Sequence, residues 1–99
     1  MLEINGSLYD WDAEKEDVNI RKHGITFAEA ATVFEDVNIV TIYDAAHSEY
    51  EDRFVAIGLS KNINVLTVCH CIRDNEEVIR IISARHATRQ ESKQYEGGA

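Results

Sequence analysis

The sequence predicts an α+β fold, helices packed on an antiparallel sheet, in the order β-α-α-β-β-β-β-α. Three observations carry this. Three β-rich runs follow one another after residue 52, separated only by the short turn-forming stretches K-N-I and D-N-E, which implies an antiparallel meander. Two T-x-x-E sequences, Thr26 to Glu29 and Thr88 to Glu91, have the form of helix capping boxes. Finally, 99 residues with 44% hydrophobic content suffice for one compact domain and are too few for two. That domain is expected over residues 1–96, with 97–99 a frayed tail.

The elements follow in order. "LYDW" (8–11) reads as a short strand. Asp12 then caps a helix running through Arg21-Lys22-His23, where basic side chains meet the negative end of the helix dipole and Gly24 stops it. A second helix begins at Thr26, with Phe27, Ala30, Ala31 and Phe34 at helical spacing. "NIVTIYD" (38–44) reads as a strand and "AAHSEYED" (45–52) as a polar loop. The meander is "RFVAIGLS" (53–60), "NVLTVCHCIR" (64–73) and "EVIRIISA" (77–84). A last helix starts near Thr88 and runs through Tyr95. No proline interrupts any of these.

Net charge is −8, which speaks against a generally basic nucleic-acid binder. The distribution is uneven, however. Residues 1–52 carry three bases against thirteen acids, a balance of −10, and residues 53–99 carry seven bases against five acids, a balance of +2. Such asymmetry can hide a local cationic patch. No run of about 18 apolar residues exists to span a membrane, and the N-terminus lacks the basic and apolar regions of a signal peptide, so a cytoplasmic location is expected. Cys69 and Cys71 flank His70 on a strand, with both thiols on one face and the imidazole on the other. That arrangement suits free cysteines better than a zinc site, and neither a metal nor another cofactor is expected.

"IRIISARHAT" (79–88) holds the most chemistry. Arg80 interrupts an apolar strand, and Arg85-His86 closes it. Simple alternation sets Arg80 with Ile82 and Ala84 on one face, and Arg85 with Ile81 and Ser83 on the other, although parity is least fixed at a strand's exit. Guanidinium groups offer a permanently charged fork of donors that fits phosphate oxygens. Arg53, Arg80 and Arg85 converging on one surface would suit a phosphodiester, and as isolated residues they would be solvated strand charges or ion-pair partners. His86 precedes a helix N-terminus, which favours its neutral, proton-accepting form or leaves it exposed and inert. His23 ends a helix where its cation is stabilised. His70 reads as a packed histidine. Trp11 is a candidate for base stacking or for the core.

Beyond this chemistry, "WDAEKEDVNIRKHGITFAEAATVF" (11–34), "HSEYEDRFVAIGLS" (47–60) and "VIRIISARHATRQESKQYE" (78–96) resemble, in the same order, blocks of the BrnT family of type II toxins. The resemblance implies a RelE-like fold and a metal-independent endoribonuclease, in which the RNA 2′-hydroxyl attacks the adjacent phosphate. It implies a BrnA-like antitoxin with a ribbon-helix-helix-type DNA-binding domain, joined with the toxin in a hetero-oligomer that touches operator DNA only through the antitoxin. On the ribonuclease reading, Arg53, Arg80 and Arg85 are the expected catalytic residues, with Lys22, His23 or His86 in supporting acid-base roles, His86 standing where the family commonly has lysine. Trp11, Arg73, Arg89, Lys93 and Tyr95 are the expected RNA contacts. A second reading stays open beside it. The acidic first half suits a surface that docks a basic segment, so the chain would be a catalytically attenuated homologue that binds an antitoxin and tunes its operon.

Overall fold

The structure is a computed structural model that describes residues 1–75 and 77–97. Its centre is a six-stranded sheet in the order β1-β2-β6-β5-β4-β3, with β1 at Leu2–Ile4, β2 at Ser7–Trp11, β3 at Val40–Tyr43, β4 at Arg53–Leu59, β5 at Val65–Arg73 and β6 at Val78–His86. The meander is antiparallel as expected, and β3 adds to it antiparallel to β4. One pair departs from the expectation. β2 runs parallel to β6, with Asp10 opposite Arg80, so the sheet is mixed. The N-terminal hairpin adds a strand that was not anticipated, closed by Asn5 and Gly6 with φ of 49° and 88°. An Asn-Gly pair is the strongest short hairpin signal, because both residues tolerate positive φ.

Helix α1 spans Ala13–His23. Asp12 caps it by accepting hydrogen bonds from the backbone N–H groups of Glu14 (2.8 Å) and Lys15 (3.3 Å). Gly24 ends it at φ 71°, a left-handed conformation that side chains resist. Helix α2, Phe27–Ala31, is shorter than the spacing of Phe27 to Phe34 suggests, because the chain tightens into a 3₁₀ turn over Thr32–Glu35. Its capping box is half formed: Thr26 Oγ1 accepts from Glu29 N–H, but the Glu29 carboxylate turns away to accept from Ser60 (2.7 Å) and Asn64 (2.9 Å). That choice pins the β4–β5 turn to the helix layer. Helix α3, Arg89–Glu96, has the complete Thr88–Glu91 box. Of the D-N-E connection, Glu76 lies outside the described residues, as do Gly98 and Ala99 of the expected tail.

The core lies between one sheet face and α1–α2. Tyr9, Leu66, Val68, Ile81 and Ala84 from the sheet meet Ile25, Phe27, Ala30, Ala31 and Val33. Gly58 allows the 3₁₀ turn to approach, since a Cβ there would stand 3.1 Å from Val33 Cβ and from its carbonyl oxygen. His70 is buried on this face, edge-on to Phe34 and stacked on Phe54, and burial lowers its pKa and keeps it neutral. Trp11 packs edge-on to Phe27 on the same side. α3 covers one end of the opposite face, leaving the remainder open.

Candidate active site

The open face is built by a β-bulge. Along β5 and β6, Val68 pairs with Ala84 and Cys69 with Ser83, but His70 pairs with Ile81, so Ile82 is an extra residue without a partner position. One extra residue inverts the alternation. Arg80, opposite Cys71, and Arg85, opposite Thr67, therefore point to the same face, away from α1 and α2. This corrects the expectation from simple alternation, which divides the two arginines between faces. Arg53 joins them, because β4 pairs it with the same Cys71. A single row, Arg53–Cys71–Arg80–Asp10, thus crosses four strands. At about 4.8 Å per strand, the backbones of Arg53 and Arg80 stand about 10 Å apart, with the small side chain of Cys71 between them. Cys71 is buried between them, so the surface of this row is formed by the guanidinium groups.

Each arginine is engaged by a carboxylate. Arg80 Nη1 lies 3.4 Å from Asp10 Oδ2, and Arg53 Nη2 lies 3.9 Å from Glu51, which also accepts from Arg73 at 2.9 Å. Arg85 makes a fork-to-fork pair with Glu91, at 2.7 and 3.0 Å. The Arg85 guanidinium, together with hydrogen bonds from Thr88 N–H and Thr67 Oγ1, holds the Glu91 carboxyl at a pKa of about 2 despite its partial burial. Glu91 thus docks α3 onto the sheet as well as completing its cap. Two polar atoms on this row, Asp10 Oδ1 and Arg53 Nε, are buried without a hydrogen-bond partner.

Beyond the bulge, no strand among the described residues lies on the outer side of β6, and α1 takes that place. Asn19 imitates a strand: its Nδ2 donates to Ala84 O (2.8 Å) and to Ile25 O (3.0 Å), and its Oδ1 accepts from Ala84 N–H (3.0 Å). This seam sets Lys22 and His23 beside Ile82 and Ser83, lining an open cavity with Glu14, Lys15, Val18 and Asn19. Ser83 belongs to both places, since it faces the arginine floor one register step from Arg80.

The expected residues therefore divide. Arg53, Arg80, Arg85 and Arg73 share the open face, with Lys22 and His23 at its margin. Arg89 and Lys93 are exposed on α3, and the Tyr95 hydroxyl donates to Asp36. The side chains of His86 and Trp11 point away from the arginine face, although the His86 carbonyl accepts from Arg85 at 3.4 Å. His86 lies on the helix side of β6, and Trp11 packs on the core. Asp10 and Glu51 carry no role in the sequence reading and Glu91 only that of capping partner to Thr88, because their arginine partners lie on other strands or across a turn.

A family of ribonuclease toxins, BrnT, of type II toxin–antitoxin systems matches residues 11–91. This chain belongs to the BrnT family. Among solved structures, the Brucella abortus ribonuclease toxin BrnT is similar to it, with 28% sequence identity, a TM-score of 0.66, and coverage of 84% of this chain and 100% of that one. No curated protein sequence matches the chain. Membership of the BrnT family places this chain among the toxins of type II systems, whose partners are antitoxins. No helix among the described residues is long and apolar enough to cross a membrane.

Proposed function

We propose that this BrnT-family chain is an endoribonuclease that cleaves RNA without a metal ion, by attack of the 2′-hydroxyl on the neighbouring phosphorus. The bulge at Ile82 is the observation that supports this most, because it turns Arg80 and Arg85 to the face that already holds Arg53. Negative charge gathers on the phosphate oxygens as the fifth bond to phosphorus forms, and fixed guanidinium groups stabilise that charge more than they stabilise the substrate. Arg53 and Arg80 grip the phosphate across Cys71. Arg85, held by Glu91, presents a preorganised charge at the α3 end. His23, with Lys22 beside it, returns a proton to the departing 5′-oxygen. DNA, lacking the 2′-hydroxyl, is bound and not cut. Arg73, Arg89 and Lys93 extend the cationic track for the strand.

The partner in this reading is a BrnA-like antitoxin with a ribbon-helix-helix-type domain, which silences the enzyme in a cytoplasmic hetero-oligomer and carries it to operator DNA. The fold acts as one unit over residues 1–96. The deciding experiment is cleavage of a defined single-stranded RNA by antitoxin-free protein in EDTA, with a DNA of the same sequence and the Arg80→Ala/Arg85→Ala variant alongside. Cleavage of RNA only, lost in the variant, is the expected result.

A second reading rests on the carboxylates. Each site arginine has an internal acidic partner that RNA must displace, and the first half of the chain is strongly acidic. A chain attenuated in this way would serve as an antitoxin-binding regulator. Unchanged operator repression by the Arg53/Arg80/Arg85 triple alanine variant, with no RNA cleavage by the wild type, would select it.

A further inference from the structure

We propose that Asp10 is the general base that removes the proton from the RNA 2′-hydroxyl, an inference that rests on the ribonuclease reading above. Neither histidine near the site fits this task well. His86 points to the opposite face, and His23 lies at the α1 margin, where it suits the leaving group. Among the described residues, three carboxylates pair with the arginines of this face, and their hydrogen bonding separates them. Glu91 is saturated, since its oxygens accept from Arg85, Thr67 and the Thr88 backbone. Glu51 is occupied by Arg73 at 2.9 and 3.5 Å, with Arg53 at 3.9 Å. Asp10 differs. Its Oδ2 faces Arg80 at 3.4 Å, and its Oδ1 is buried with no donor at all.

A buried acceptor without a donor calls for an explanation, and an O–H group that reaches it once Arg80 moves to the phosphate supplies the missing donor. The register puts this acceptor beside the arginine that grips the phosphate, because Asp10 and Arg80 are direct partners between β2 and β6. A ribose 2′-hydroxyl and its 3′-phosphate are equally close neighbours, so one pair of adjacent side chains receives both. Tyr9 and Trp11, buried and half-buried on the core side, fix β2 so that Asp10 must point to the open face. The ion pair serves the base as well as the phosphate. Arg80 holds the carboxylate in place, and as its guanidinium swings toward the phosphate it frees Asp10 to accept the proton.

The step balances. The 2′-O–H bond breaks, its proton passes to Asp10 Oδ1, and the oxygen's electron pair forms the bond to phosphorus. The P–O5′ bond breaks in line, and the 5′-oxygen takes a proton from the cationic side chain at the α1 margin. The products are a 2′,3′-cyclic phosphate and a 5′-hydroxyl.

The test uses the full chain on the RNA of the EDTA assay, with the 2′-O-methyl form of the same RNA as an uncleavable ligand. Asp10→Asn is expected to lower kcat by about 100-fold or more, the scale of a lost general base, while 2′-O-methyl RNA binds within about twofold of wild type. Asp10→Glu is expected to recover at least about a tenth of the wild-type rate. Should Asp10→Asn melt below the assay temperature, Asp10→Ser carries the same comparison. Wild-type cleavage with Asp10→Asn within about threefold of it overturns the role of Asp10 and leaves the ribonuclease reading standing. Binding lost in parallel with kcat also overturns it, reducing Asp10 to a support for Arg80. A folded wild type that cleaves no RNA defeats the ribonuclease reading and this inference together.

Discussion

Arg80 and Arg85 share a face of β6 because Ile82, between them, has no partner on β5. The bulge is therefore a device of the site as well as of the sheet, and removing it has a definite consequence. Inserting one alanine between Cys69 and His70 gives Ile82 a partner and restores plain alternation along β6, so either Arg80 or Arg85 must turn into the layer occupied by Ile81 and Ala84. Burying an unpaired arginine there costs at least about 3 kcal/mol. The insertion is expected to unfold the domain or lower its urea midpoint sharply, whereas Ile82→Val, which keeps the bulge, changes stability by about 1 kcal/mol at most.

Asn19 is the seam between the helix layer and the exposed edge of β6. Replacing it with alanine removes three buried hydrogen bonds and strands both backbone groups of Ala84. The expected cost is about 3 kcal/mol, read as a lower urea midpoint at constant slope. Because the same seam holds Lys22 and His23 beside Ser83, RNA cleavage should fall further than the folded fraction does.

Glu91 makes stability depend on pH. Its folded pKa, about 2, lies below the ordinary 4.5, so its contribution is complete above pH 4.5 and disappears as pH falls toward 2. The full displacement corresponds to about 3 kcal/mol as an upper bound. Urea midpoints measured from pH 6 down to pH 2.5 should fall for the wild type and fall less steeply for Glu91→Gln. Glu29 and Asp36 are also lowered, by hydrogen bonds that outweigh their burial, so a residual slope remains in the variant.

What was legible in the sequence is what local chemistry determines. Asp12 and Gly24 bound α1, Thr88 and Glu91 start α3, and short polar turns separate β4, β5 and β6. The Asn5-Gly6 hairpin is equally local, its turn residues carrying the positive φ the turn needs. The parallel pairing of β2 with β6 was not legible, because it joins segments at opposite ends of the chain and leaves no periodic trace. The same is true of the site. Arginines inside an apolar strand announce themselves, but their common face depends on a bulge that only the partner strand defines. Asp10 looks like an ordinary strand carboxylate until Arg80 is placed beside it.

Ile63 lies in the β4–β5 turn at φ 63° with its side chain exposed, so a β-branched residue occupies a left-handed conformation without packing in return. Ile63→Gly relieves that strain and is expected to stabilise the domain by about 1 kcal/mol, raising Tm by about 5 °C. The turn sits on the helix side, away from the arginine floor, so RNA cleavage should not change.

The arginine floor also sets how RNA binding responds to salt. Each phosphate neutralised by a fixed cation releases condensed counterions, and for single strands each such contact adds about 0.7 to the slope of log affinity against log salt. Arg53→Ala and Arg80→Ala should each flatten that slope by about this amount for 2′-O-methyl RNA. Lys61 is exposed at the β4–β5 turn beside Thr32 and Glu35, on the helix side, and Lys61→Ala should leave the slope unchanged. Equal effects from all three would mean that RNA follows the net charge of the chain. An effect confined to the arginines would mean that it follows the row that the Ile82 bulge completes.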